Sequence, residues 1–341
     1  MLTIYSEDHY LRSPKTELHD GQLVAPFECP ARVETILARL QAVQLGEIRA
    51  PTRFGLEPVA RIHDPDFLEF LSTAWEDWCK AGNQGEMIPT NWPARRMAQR
   101  APDNIDGKLG YYAMAAETSI TDGTWQAART SADVALTAGE AIRAGARSAF
   151  ALCRPPGHHA TRDLFGGYCF LNNAAITAQH FLDSGAQRVA ILDVDFHHGN
   201  GTQDIFYNRG DVLFVSLHGR PEDAFPYFLG YAGETGTGEG EDCTLNLPMG
   251  PGTGYDVWGL ALAQGLKRIA RFAPDVVIVS LGVDTFKDDP ISFFKLESED
   301  YRRYGEAIAT LGLPTLFVME GGYAVDAIGT NTVNVLQGFE G

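Results

Sequence analysis

Val189-Ala190-Ile191-Leu192-Asp193-Val194-Asp195-Phe196-His197-His198-Gly199-Asn200-Gly201 passes abruptly from an apolar run to acidic and imidazole groups at alternate positions. Side chains on a strand alternate between its faces, so Asp193, Asp195 and His197 are expected on one side. Carboxylate oxygens and an imidazole nitrogen two residues apart, at the end of a buried strand, suit a divalent metal such as zinc. The same pattern also reads as a strand-end cluster that caps the following helix. On this segment alone both readings stand.

Working outward, further apolar runs close on polar or glycine-rich residues at 148–153, 188–195, 212–218, 276–281 and 315–320. Amphipathic stretches at 173–184, 255–271 and 300–311 fall between them. Strands alternating with helices of that length predict an α/β fold, in which a parallel sheet is flanked by helices on both faces. No repeat, low-complexity tract or linker divides the chain, so residues 1–341 are expected to form a single domain. The alternation breaks at about 83–123, where Pro89, Pro93, Pro102 and Arg95-Arg96 give little periodicity before Leu109. Insertions of that length in compact domains are usually lids, binding loops or interface elements, and Trp92, Tyr111 and Tyr112 argue against simple disorder.

Composition narrows the function classes. A formal charge of -17 argues against nucleic acid or an anionic membrane as partner and favours cationic substrates, although acidic surfaces also serve solubility alone. Met1 to Tyr10 reads as neither secretory signal nor membrane anchor, and no segment has the apolar length to span a bilayer. Five scattered cysteines without a CxxC pair read as reduced thiols of a cytoplasmic protein.

Four polar signatures follow four predicted strands: Arg154-Pro155-Pro156-Gly157-His158-His159, Asp195-Phe196-His197, Gly282-Val283-Asp284 and Glu320-Gly321-Gly322-Tyr323. Each has an ordinary explanation as a turn or a helix cap. In an open parallel sheet, however, ligands bind beyond the carboxyl ends of the strands, so all four are expected to meet in one crevice. Two carboxylates and one imidazole leave a coordination position for water, which is the catalytic pattern for zinc. His9, His63 and His180 fall outside every signature and read as surface or satisfied histidines.

These signatures resemble the deacetylase branch of the arginase/histone deacetylase superfamily over nearly the whole chain. Within that branch the chain is most similar to the bacterial acetylpolyamine amidohydrolases. That similarity is carried by Asn91-Trp92-Pro93-Ala94-Arg95-Arg96, Ala224-Phe225-Pro226-Tyr227-Phe228-Leu229-Gly230-Tyr231 and Asp289-Pro290-Ile291-Ser292-Phe293-Phe294-Lys295-Leu296. The resemblance implies zinc held by Asp195, His197 and Asp284, with His158, His159 and Tyr323 as catalytic residues. It further implies Asp193 orienting His158, and a potassium site drawing on Asp193, Asp195, His197, Ser216 and Leu217. Substrate-facing positions would be Asp106, Glu117, Gly167, Tyr168, Phe225 and Ile291. Arginases resemble the chain in fold but hold two manganese ions through further aspartates, and the matching positions here, Gly199 and Gly282, offer no carboxylate. One metal is therefore expected. Where many relatives pair the second histidine with aspartate, this chain has Asn200, so His159 is expected to titrate lower and to serve as a neutral base.

The expected activity is removal of acetyl groups from acetylated polyamines or diamines, by a homodimer that contacts its partner through the insertion loop. Acetyl-lysine on proteins is the competing substrate, favoured if the cavity mouth is wide. A third reading, an inactive small-molecule-binding homologue, sits poorly with a complete set of ligands and catalytic groups.

Overall fold

Neighbouring residues of the decisive strand bury into different cores: Val189 and Ile191 join one apolar cluster, Ala190 and Leu192 the other. Such two-sided burial requires helices on both faces of the sheet. A computed structural model describes residues 1–341. In chain order the strands are β1 (Leu2–Ile4), β2 (Glu17–His19), β3 (Gln22–Val24), β4 (Ile48–Arg49), β5 (Ser148–Ala151), β6 (Val189–Asp193), β7 (Val212–Gly219), β8 (Thr244–Met249), β9 (Val276–Leu281) and β10 (Thr315–Met319). Eight of them form one parallel sheet in the order β4-β1-β5-β10-β9-β6-β7-β8, while β2 and β3 form a separate antiparallel hairpin.

The helices are α1 (Ala31–Val43), α2 (Glu57–Ala60), α3 (Pro65–Lys80), α4 (Ile105–Tyr111), α5 (Thr124–Arg143), α6 (Asn173–Asp183), α7 (Asn200–Phe206), α8 (Tyr255–Phe272), α9 (Ser298–Ala309) and α10 (Val325–Glu340). Apolar side chains of α3, α5 and α6 cover one face of the sheet, and those of α1, α8, α9 and α10 cover the other. This is the α/β architecture read from the sequence, and every predicted strand and helix forms with ends displaced by one or two residues at most. No helix is long and apolar enough to cross a membrane, and all five cysteines are free.

The strands β5, β10, β9, β6 and β7 are consecutive neighbours, with Ala151 opposite Val318, Met319 opposite Leu281, and Ser280 and Ser216 flanking Asp193. The four polar signatures therefore leave the sheet side by side. The insertion is not a bare loop: α4 roots it in the core through Ile105 and Leu109, Met87 bridges to Ile120, and Tyr112 stacks on Phe70 at 4.7 Å. Trp92 and Met97, near its tip, are exposed.

Candidate active site

The expectation that strand alternation carries Asp193, Asp195 and His197 needs correction, because β6 ends at Asp193. Beyond it the Asp193 carboxylate accepts the Asp195 N–H (3.1 Å), and the Asp195 carboxylate accepts the His197 N–H (2.8 Å). These side-chain-to-backbone bonds replace the ladder with tight turns. The turns still bring Asp195 and His197 to Asp284, which follows β9. His197 Nδ1 lies 2.9 Å from Asp284 Oδ2 and 3.3 Å from Asp195 Oδ1, and one donor atom from each residue falls within 4.8 Å of the others.

All three side chains are buried, with one nitrogen and two carboxylates available to an ion. Burial alone would lower His197, but hydrogen bonds to Asp195 and Asp284 outweigh it and push it up to about 10. Asp284 is raised by burial and then by the adjacent Asp195 charge. The trio thus draws positive charge into itself, as a cation site does. Two glycines, Gly282 and Gly321, close around it, and a third, Gly199, closes on the adjoining Asp193. A Cβ on Gly282 would overlap Asp195 Oδ2, one on Gly199 would overlap Asp193 Oδ2, and one on Gly321 would stand 2.6 Å from carboxylate oxygens of both Asp195 and Asp284. Positions 199 and 282 cannot hold further carboxylates, which fits one metal sterically as well as chemically. Gly282→Ala is expected to weaken metal affinity by roughly 10- to 100-fold, the usual effect of disturbing groups that orient ligands. Competition against a chromophoric chelator measures it, and parent affinity would show that the cage yields.

The turn after β5 presents two histidines with opposite environments. His158 Nδ1 donates to Asp193 Oδ2 at 2.9 Å, and although burial lowers it, Asp195 and Asp193 push it up to about 10. His159 is held well below the ordinary histidine value, first by burial and then by His158 and His197. Its Nδ1–H donates to Asn200 Oδ1 at 2.6 Å, while the Asn200 amide reaches back to the His159 carbonyl at 3.4 Å. The direction agrees with the expectation but the cause does not: burial and the two neighbouring histidines lower it, while the Asn200 hydrogen bond raises it. A dication beside both rings would lower both. Two acid–base groups driven apart by their surroundings are what proton transfer near neutral pH requires.

Tyr323 faces the same space from the turn after β10. Its backbone N–H donates to Asp289 Oδ2 (2.7 Å), the Arg32 guanidinium sits 5.0 Å from its ring centroid, and its hydroxyl has no partner within the protein. Burial holds the phenol well above its ordinary value, so it stays a donor.

His159, His197 and Tyr323 open onto a cavity of about 280 Å³. Glu117, Gly167, Tyr168, Phe225 and Ile291 line it as expected. Asp106 does not: Asn104 caps α4 by accepting the Asp106 N–H, which leaves Asp106 exposed in the first turn and away from the cavity. Glu117 is half-buried, and its Oε1 accepts from the Gly167 N–H (2.7 Å) and the Thr118 hydroxyl (2.9 Å).

The histone deacetylase domain model matches residues 26–339. The chain belongs to the histone deacetylase family. It is 59% identical to acetylpolyamine amidohydrolase 1 of Pseudomonas aeruginosa, covering 100% of this chain and 99% of the relative. It is 58% identical to the acetylpolyamine amidohydrolase of Mycoplana ramosa, with both chains fully covered. The crystal structure of acetylpolyamine aminohydrolase from Burkholderia pseudomallei superposes with a TM-score of 0.94 at 39% identity, covering 99% of this chain and 98% of that one. Membership makes this deacetylase-fold chain a metal-dependent hydrolase; of the two buried groups with metal-ligand spacing, Asp195, His197 and Asp284 reach the cavity through His197, whereas none of His158, Cys169 and Glu320 lines it.

Several residues around the deacetylase site escaped the sequence reading. Glu28 gathers Arg12, Arg32 and Arg154 in a fully buried network beside the turns that carry His158 and Tyr323. The β2–β3 hairpin supplies Glu17 through Asp20 to the cavity wall, and Glu17 accepts from the Tyr168 hydroxyl at 2.6 Å. Its alternation is too short to stand out. His9 and His63 prove buried, and His63 Nε2 accepts the Asn172 N–H at 3.0 Å.

Proposed function

We propose that the protein is a zinc-dependent amidohydrolase that removes acetyl groups from acetylated polyamines or diamines, giving acetate and a free amine. The observation that carries this reading is one cavity joining His197 of the acidic trio, His159 and Tyr323 at its floor to Glu117 on its wall. The full-length relatives named as acetylpolyamine amidohydrolases support the substrate class. In this reading Asp195, His197 and Asp284 hold zinc, which when bound lowers the pKa of a water to roughly 7 and polarises a carbonyl.

The chain's own residues do the remainder. With its Nδ1–H committed to Asn200, neutral His159 offers Nε2 to the proton of the attacking water and returns that proton to the departing amine. Asp193 fixes His158 as the charged neighbour. The Tyr323 hydroxyl, unpartnered within the protein and facing the cavity, donates to the oxyanion as it forms. A potassium ion drawing on Asp193, Asp195, His197, Ser216 and Leu217 is compatible with the register, since Asp193 and Ser216 are paired across β6 and β7.

Homodimerisation through the insertion is supported by the aromatic surface beside the cavity. Tyr227, Phe228 and Tyr231 are exposed together with Trp92 and Met97, and Arg95 stacks over Phe228 at 5.8 Å. Exposed apolar patches of this kind mark interaction sites. A cytoplasmic location fits five unpaired thiols.

Steady-state kinetics on acetylated diamines, acetylated polyamines and an acetyl-lysine peptide tests the assignment. The highest kcat/KM is expected for the small amines, and a preference for the peptide would transfer the assignment to protein substrates. Glu117 gives the class its second test, because a carboxylate in a narrow cavity attracts an ammonium more strongly than bulk water permits. Glu117→Gln is expected to raise KM for acetylated diamines about tenfold, equivalent to about 1.4 kcal/mol, while leaving an uncharged acetanilide almost unchanged. Equal losses on charged and neutral substrates would reduce Glu117 to a support for Gly167.

A further inference from the structure

The chemistry proposed for His158, His159 and Tyr323 leaves Glu320 unused, although it is completely buried. Its position follows from the sheet. Val318 of β10 lies opposite Ala151 of β5, so the residue just past β10 stands beneath the turn that follows β5. From there Glu320 Oε2 accepts two successive backbone donors, Gly157 N–H at 2.6 Å and His158 N–H at 3.1 Å. Oε1 has no partner. The main chain of Glu320 is fastened as firmly: its N–H donates to the Leu281 carbonyl of β9 at 3.0 Å. Arg32 donates to the carbonyls of Glu320 and Gly322. The neighbouring Gly321 N–H reaches Asp195 Oδ2 at 2.8 Å.

Stability alone does not explain an acid at this place. The desolvation penalty of a buried carboxylate offsets what its two hydrogen bonds return. What the arrangement does supply is a rigid connection between two turns that the sequence separates by more than a hundred residues.

We infer that Glu320 is a positioning residue, locking the turn that carries His158 and His159 against the turn that carries Tyr323. The spacing between the proton acceptor and the oxyanion donor is then set by one side chain, not by two independent loops. This inference rests on the roles proposed for those three residues and adds a fourth that touches no reacting atom.

Glu320→Ala removes the acceptor, and Glu320→Gln keeps an oxygen able to receive both N–H groups. A displacement of about 1 Å at a reacting group costs on the order of 100-fold, so Glu320→Ala is expected to lower kcat by roughly 10- to 100-fold. KM and metal content should stay close to the parent's, and Glu320→Gln should recover most of the rate. Glu320→Leu, which fills the volume without accepting, takes the place of Ala if the smaller residue prevents folding. Native-state amide exchange at Gly157 and His158 supplies a readout without turnover: faster in the Ala or Leu variant, parent-like in Gln. Parent-like kcat in the Ala variant overturns the lock, as does a Gln variant no better than Ala, a rate loss matched by metal loss, or unchanged exchange. If the parent itself hydrolyses no acetylated amine while the exchange pattern appears, the proposed activity falls and the lock stands.

Discussion

Asp195→Ala and Asp284→Ala are each expected to leave a folded protein that has lost both metal and activity. Neither side chain belongs to the two apolar clusters that hold the sheet between its helices. Each lies beyond a strand end, so its removal subtracts local hydrogen bonds but no core volume. Asp195 is the more connected of the two, accepting from the N–H groups of both His197 and Gly321. Its variant should therefore melt earlier, with each orphaned buried donor costing about 1–3 kcal/mol. With one ligand gone, the remaining carboxylate and imidazole do not form a catalytic zinc site. Losing the metal removes water activation together with carbonyl polarisation, so turnover should fall by more than about a thousandfold. Metal analysis after dialysis, beside circular dichroism and the acetylated-diamine assay, decides the matter. Full metal retention in either variant rules out this ligand set.

Tyr323→Phe is expected to reduce kcat by on the order of 100- to 1,000-fold while leaving metal content and fold intact. The substitution deletes one hydroxyl. The ring keeps its neighbours, including Arg32 at 5.0 Å and Tyr168 at 5.5 Å between centroids, and the main chain keeps its bond to Asp289. No other group is held for that hydroxyl, so nothing inside the protein is left unpaired when it is lost. The whole effect should appear where charge develops on the substrate oxygen. A variant turning over near the parent rate would remove Tyr323 from the mechanism.

Much of this site was legible because its residues sit where strands end. The switch from Leu192 to Asp193, or from Met319 to Glu320, is abrupt, and an abrupt switch from apolar to polar marks the sheet edge at which ligands bind. The strands that escaped lack such a signal. β1 and β4 are only 3 and 2 residues long, and β8 alternates between buried and half-buried positions at the sheet's edge. Helices α1, α3, α5 and α10 also went unread, since none of them falls between two of the strands read from the sequence. Asp106 was misplaced because matching it to a substrate-facing position says nothing of how Asn104 turns the helix that carries it. Of the arginines around Glu28, Arg154 opens one of the signatures but carries no hint of its partner, and Arg12 and Arg32 left no pattern; tertiary packing alone brings the three together.

The strand order also governs how the molecule must come into being. β10, the last strand to be synthesised, is not at an edge but is wedged between β5 and β9 near the middle of the sheet. Until it arrives, those two strands have no common neighbour, and each presents a bare row of N–H and C=O groups to the cell. Pairings this distant in sequence form slowly and leave the incomplete sheet open to association with other chains. The ribosome must also have released the residues through Tyr323 before Asp195 can meet Gly321 or Glu320 can reach Gly157. A chain stopped short of β10 would therefore leave the Asp195 carboxylate without its Gly321 donor and the half-built sheet prone to aggregate.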